Sequence, residues 1–232
     1  MRRWAAPAFL LLAAGAAAEN LPELAALERV VAAAPDSRRG ASDYRMAIVR
    51  AGVYDRALDF FARLVEKHPG SANLWLNYGY AYVDKIPAAG AIGRVILANQ
   101  SIEKFTRSIE LERTWLALYT RGNAYLYWPP VFGKAPQAVA DLEAALALVE
   151  REPDRRPAHA RVYVAMGDAY WRTERHDRAR AVWREGARRF PGEPRLAARL
   201  ARDGDELTAY LYDQLDPAER VDTDLTPLWA EP

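Results

Sequence analysis

Three glycines sit inside stretches that otherwise read as helix, and each is followed three residues later by a tyrosine: Gly79 and Tyr82, Gly122 and Tyr125, Gly167 and Tyr170. Glycine in a helix interior costs about 1 kcal/mol against alanine. A chain that repeats this in one context is using the missing side chain. The surroundings recur as well. After Tyr170 come a small residue, a large apolar one and a small one, Ala179, Trp183 and Gly186, and "RRFPG" then supplies Pro191. An earlier stretch, "YDRALDFFARLVEKHPG", gives Ala57, Phe61, Leu64 and Pro69, with Arg45 upstream where the glycine would stand.

This spacing resembles the tetratricopeptide repeat, a helix–turn–helix unit of about 34 residues. The last copy, residues 160–193, matches without gaps through Tyr163, Met166, Gly167, Tyr170, Ala179, Trp183, Gly186 and Pro191. The second, 72–113, carries Trp75, Tyr78, Gly79, Tyr82, Ser101, Phe105 and Ser108, with an insertion. The third, 115–152, carries Leu118, Gly122, Tyr125, Ala138, Leu142 and Ala145, with Arg121 at a position that is apolar in the family. The first, 38–71, carries Ala41, Tyr44 and Ile48 ahead of Ala57. The resemblance implies an all-α superhelical solenoid of about four such hairpins. In it, small residues let paired helices cross closely, and stacking buries apolar faces that no hairpin covers alone. A helix at 19–36 caps one end of the repeat region, 37–202, and a helix with an acidic tail, 203–232, caps the other, as a solenoid requires.

The two insertions, "DKIPAAGAIGRVILANQ" and "YWPPVFGKAPQ", fall between first and second helix of successive hairpins, so they should be neighbours on one edge of the stack. The first is expected to prolong the following helix from near Ala91, since Ile92, Ile96, Ile102, Phe105 and Ile109 keep helical spacing. The second, with Pro129, Pro130, Gly133 and Pro136, must turn. Trp128, Val131 and Phe132 either plug the stack or form the lip of a ligand site.

In the family, the first helices line a concave surface that binds peptides or protein segments. Carried over, this places Tyr80, Asp84, Tyr119, Asn123, Tyr127, Asp168, Trp171 and Arg172 on an inner strip open to a partner, beside Leu76, Val83, Leu126, Arg161 and Val164. Aromatics mixed with a few charges suit a protein-binding surface, although the terminal segments could equally bury them. Only Asn123 matches the lysine–asparagine carboxylate clamp of some relatives, so recognition of an acidic C-terminus is not expected.

The first 18 residues read as a secretory signal: "MRRW", the apolar "AAPAFLLLAA", then Ala16 and Ala18 before Glu19. Export, with a periplasmic location and no stable membrane anchor after cleavage, is the expectation. The chain has no cysteine, which excludes disulfides, thiolate metal sites and a lipid-anchored cysteine. Charge is divided unevenly. Residues 151–202 carry 14 arginines and 7 acids, whereas 203–232 carry one arginine and 9 acids, so the tail is expected to pack near the basic repeat. Overall neutrality, at a net charge of +1, argues against nucleic acid as a partner.

Chemistry is sparse. His68, His159 and His176 form no ligand pair, no serine lies in a nucleophile-elbow context, and no phosphate-binding glycine motif is present. No cofactor, metal or catalytic residue is expected. The reading is a non-enzymatic exported scaffold or adaptor holding a protein or peptide in its groove. The alternative is a small-ligand-binding accessory protein that uses the inserts at 86–100 and 128–136.

Overall fold

The computed structural model describes residues 21–216, 218–219 and 221–229; the signal segment read at 1–18 lies outside the described residues. Helix α1 (Leu21–Ala33) precedes four hairpins, α2 (Arg38–Ala51) with α3 (Tyr54–Lys67), α4 (Ala72–Lys85) with α5 (Ala91–Leu111), α6 (Trp115–Leu126) with α7 (Ala135–Val149), and α8 (Ala160–Arg172) with α9 (His176–Arg189). Two further helices, α10 (Pro194–Leu200) and α11 (Gly204–Gln214), follow. No strand occurs among the described residues, and the architecture is an all-α solenoid.

Helix starts are set by short polar side chains. Ser37 Oγ accepts the Gly40 N–H at 3.1 Å, Ser71 Oγ the Leu74 N–H at 3.3 Å, and Thr114 Oγ1 the Ala117 N–H at 3.2 Å. Each satisfies an amide that has no partner inside its helix. Gly52, at φ 68°, ends α2 in the left-handed conformation that glycine adopts without strain.

The three interior glycines mark the crossings of their hairpins. A Cβ at Gly122 would lie 2.8 Å from Leu142 Cγ, while one at Gly79 would overlap the Phe105 ring and one at Gly167 the Trp183 indole. Trp183 is fully buried and donates from Nε1 to the Val164 carbonyl at 3.2 Å, so its ring has one place to sit. The lost helix propensity is offset by this close packing.

The first hairpin differs. Arg45 occupies the glycine position, and α2 and α3 pack against each other less extensively than the helices of the other three hairpins. Its side chain is completely buried, directed away from α3 towards α4. Arg121, the other departure from the repeat pattern, is held by a two-pronged pair with Asp141 on α7 at 2.7 Å for both bonds, and its Nη1 also reaches Thr106 on α5 at 3.0 Å. An arginine at a family apolar position thereby ties three helices together.

α1 docks on the first hairpin through Glu28, which accepts from Tyr44 Oη at 2.9 Å and Arg56 Nε at 2.7 Å. Burial alone would raise the Glu28 carboxyl, but its bonds from Arg56 and Tyr44 hold it below the ordinary value. No described helix is long and apolar enough to cross a membrane.

Candidate functional site

Helices α2, α4, α6 and α8 face a common inner groove, and the C-terminal segment runs through it. Leu225 and Leu228 are buried there among Leu76, Tyr80, Leu116, Ala117 and Ala158. The leucines supply apolar anchors; arginines hold the main chain. Arg45 donates to the Thr223 carbonyl from Nη2 at 2.8 Å and from Nη1 at 3.4 Å, and Arg161 Nη1 donates to the Asp224 carbonyl at 3.2 Å. Ser42 Oγ accepts the Leu225 N–H at 3.4 Å.

Arg45 is the centre of this arrangement. Its Nε pairs with Asp84 Oδ2 at 3.3 Å, Nη1 reaches Asn77 Oδ1 at 3.5 Å, and the guanidinium lies 4.5 Å from the centroid of the Tyr80 ring. The Thr223 hydroxyl donates to the other oxygen of Asp84. A buried cation is tolerated only when its charge is matched and its donors are used. Here a tail residue completes that set.

Asp224 folds the segment back on itself, its Oδ1 accepting from the Thr226 N–H at 2.9 Å and the Thr226 hydroxyl at 2.7 Å. Burial pushes the Asp224 carboxyl up, and these Thr226 bonds more than reverse it, leaving it below its ordinary value. Asp222 pairs with Arg161 Nη2 at 2.8 Å. The acidic tail therefore does lie against basic residues of the array, Asp222 on Arg161 and, at its start, Asp203 on Arg180.

The residues expected on an open inner strip have three fates. Tyr80 and Asp84 are buried beneath the tail, Tyr80 Oη bonded to Thr120 Oγ1 at 2.6 Å, its pKa pushed by burial up to about 12. Tyr119, Asn123 and Tyr127 line an apolar cavity of about 320 Å³ beside the tail, and burial raises both phenols. Asp168, Trp171 and Arg172 are not presented to a partner. Asp168 forms a buried two-pronged pair with Arg199 of α10 at 2.5 and 2.6 Å. Trp171 stacks on His176 at 4.1 Å and donates to Thr208 of α11 at 3.0 Å. Arg172 bonds the Leu126 carbonyl and lies over the Tyr212 ring. The last exposed face of a solenoid must be covered, and these residues serve the cover.

The inserts divide similarly. Trp128 is buried and forms part of the cavity wall with Ile86 and Val95, whereas Val131 and Phe132 point outward at 87% and 49% exposure. Sequence reasoning missed Arg45, Ser42 and Leu225 as groove elements, and left Leu228–Trp229 open between packing along the array and exposure. The signal available was an arginine in a position that packing reserves for glycine.

Tetratricopeptide-repeat models match two segments, residues 160–203 and 40–71. No curated protein matches the chain. Among solved structures, TTC0263, a thermophilic TPR protein of Thermus thermophilus, is similar with a TM-score of 0.58 and 20% identity, over 77% of this chain and 87% of that one. YrrB, described as a TPR protein with an unusual peptide-binding site, gives 0.50 at 14% identity, over 83% of this chain and 93% of its own. MamA gives 0.50 at 16% identity, over 77% and 90% respectively. At these identities the likeness is one of fold. The chain thus carries tetratricopeptide repeats at 40–71 and 160–203, and its four glycine- or arginine-marked hairpins stack in the fold of tetratricopeptide-repeat proteins. Its architecture is that of a protein-interaction scaffold.

Proposed function

We propose that this protein is an exported, non-enzymatic adaptor that holds a short, turned segment of a partner protein in the inner groove, in the place its own residues 222–228 occupy. One observation carries the reading: Arg45 and Arg161 grip consecutive main-chain carbonyls, at Thr223 and Asp224. Main-chain capture fits any chain that takes this turn, while the sites of Leu225 and Leu228 set a preference for apolar anchors three residues apart. The peptide-binding site named for YrrB, a protein of the same fold, supports the reading.

The tail then acts as a built-in competitor, and a partner must displace it. A synthetic peptide of residues 221–229 tests this on the full chain. Leu225→Ser with Leu228→Ser should vacate the groove, and the peptide should bind that variant at least tenfold more tightly than the parent. Equal, weak binding to both would sink the proposal.

A further inference from the structure

We infer that the cavity between α4, the N-terminal half of α5, α6 and the tail is a binding site for a single-chain amphiphile with a carboxylate head, about ten carbons long. This site adjoins the leucine sites, sharing Tyr80 and Phe105 with them, but does not rest on the adaptor reading.

The pocket is half open, holds about 320 Å³ and is almost wholly apolar, walled by Val83, Ile86, Val95, Ala98, Phe105 and Trp128. A methylene fills about the volume of a liquid water molecule, ~30 Å³, so the space matches about ten of them. The apolar walls of this half-open pocket forfeit contacts unless something fills it. Both inserts build the walls: Ile86, Ala91 and Val95 belong to the first and Trp128 and Pro129 to the second. The repeat pattern itself accounts for none of these five residues.

Arg94 sets the head group. It is the only cation lining the cavity among the described residues. Its Nε is fixed on the Ala89 carbonyl at 3.0 Å, and its terminal nitrogens have no carboxylate partner among the described residues. The tail contributes Asp222 to the lining, with its carboxylate already paired to Arg161. With Asp222 already paired, Arg94 is the lining charge left to attract a negative head. At the rim, Val95 lines the cavity and is itself 40% exposed on α5, an apolar lip of the kind an acyl chain can cross.

The test uses the full chain with decanoate, hexanoate, decanol and decyltrimethylammonium as probes, read by calorimetry and by the fluorescence of Trp128. Decanoate should bind saturably at one site. Hexanoate should bind about two hundredfold more weakly, since each methylene changes affinity about fourfold. Arg94→Gln should weaken decanoate at least tenfold while leaving decanol unchanged, and Ala98→Phe, which fills the space, should abolish binding. Should Ala98→Phe fail to fold, Arg94→Gln decides. Absence of saturable decanoate binding up to 1 mM, equal binding of the cationic probe, or undiminished binding by Arg94→Gln would each overturn the inference.

Discussion

Arg45 and Thr223 lie 178 residues apart in sequence, and the guanidinium of one donates to the carbonyl of the other at 2.8 Å, so the start of the repeat array is bonded directly to the end of the chain. The same arginine is the reason the first hairpin is looser than its neighbours. Glycine at this position elsewhere draws two helices together; arginine keeps them apart and spends its length crossing to α4 and the tail. The residue that breaks the repeat rule is therefore the residue that builds the groove.

Removing Arg45 leaves a buried carboxylate without its counter-charge. Arg45→Met is expected to cost about 3–5 kcal/mol of stability, the range for stranding one member of a buried pair. The double variant Arg45→Met with Asp84→Leu should recover much of it, because both charges then leave together. Urea unfolding of the single and double variants measures the difference. A single-variant loss under about 1 kcal/mol would mean that Asp84 is solvated in solution.

The hairpin crossings rank themselves by the stiffness of what faces each glycine. At Gly122 a Cβ would meet Leu142 Cγ at 2.8 Å and Asp141 Cβ at 3.1 Å, contacts that a small shift relieves; at Gly167 it would overlap an indole fixed by its bond to Val164. Gly167→Ala should therefore cost about 3 kcal/mol and Gly122→Ala about 1 kcal/mol, within the usual span for overpacking. Trp183→Ala should lose about 3–5 kcal/mol by opening a cavity. Thermal unfolding in which Gly122→Ala proves the worse of the two alanine variants would contradict the crossing geometry.

That ranking also shows how far the sequence could be read. Gly79, Gly122 and Gly167 announce the solenoid because helix crossing demands absence of a side chain, a local requirement that leaves a local trace. Aromatic and charged residues of the first helices were legible as inner-face candidates only through the resemblance to the repeat family. Their occupants were not. Nothing in the spacing of Asp168, Trp171 and Arg172 distinguishes an open strip from one covered by α10 and α11. Likewise "VDTDLTPLW" carries no periodicity that would place it against α2 and α8, since its fit depends on carbonyls, which every sequence has.

His159 introduces a dependence on pH. It is buried, with Nε2 at 3.1 Å from Glu152 Oε2 but not aligned for a hydrogen bond. Burial lowers its pKa and outweighs the raising effect of Glu152. The unfolded chain then binds a proton, near its ordinary value of about 6.5, where the folded one does not, so stability rises with pH through that window. The contribution is fully present above about pH 6.5 and is lost as pH falls towards the folded value. Urea unfolding at pH 5, 6 and 7 should show this slope in the parent and a shallower one in His159→Gln. Identical slopes would place the effect elsewhere.

What keeps the tail in the groove is decided by magnitude. The Arg161–Asp222 pair looks conspicuous, but Asp222 is 61% exposed, and exposed pairs contribute about 0–1 kcal/mol. Leu225 and Leu228 are buried, and truncating a buried leucine costs about 2–5 kcal/mol. Asp222→Asn should therefore leave the tail seated, with a small effect that vanishes at high salt, whereas Leu225→Ala with Leu228→Ala should free it at any ionic strength. Hydrogen exchange at the Leu225 amide, which Ser42 accepts, reports the seating directly. Protection lost in Asp222→Asn but kept in the double leucine variant would reverse the order and make the groove an electrostatic site.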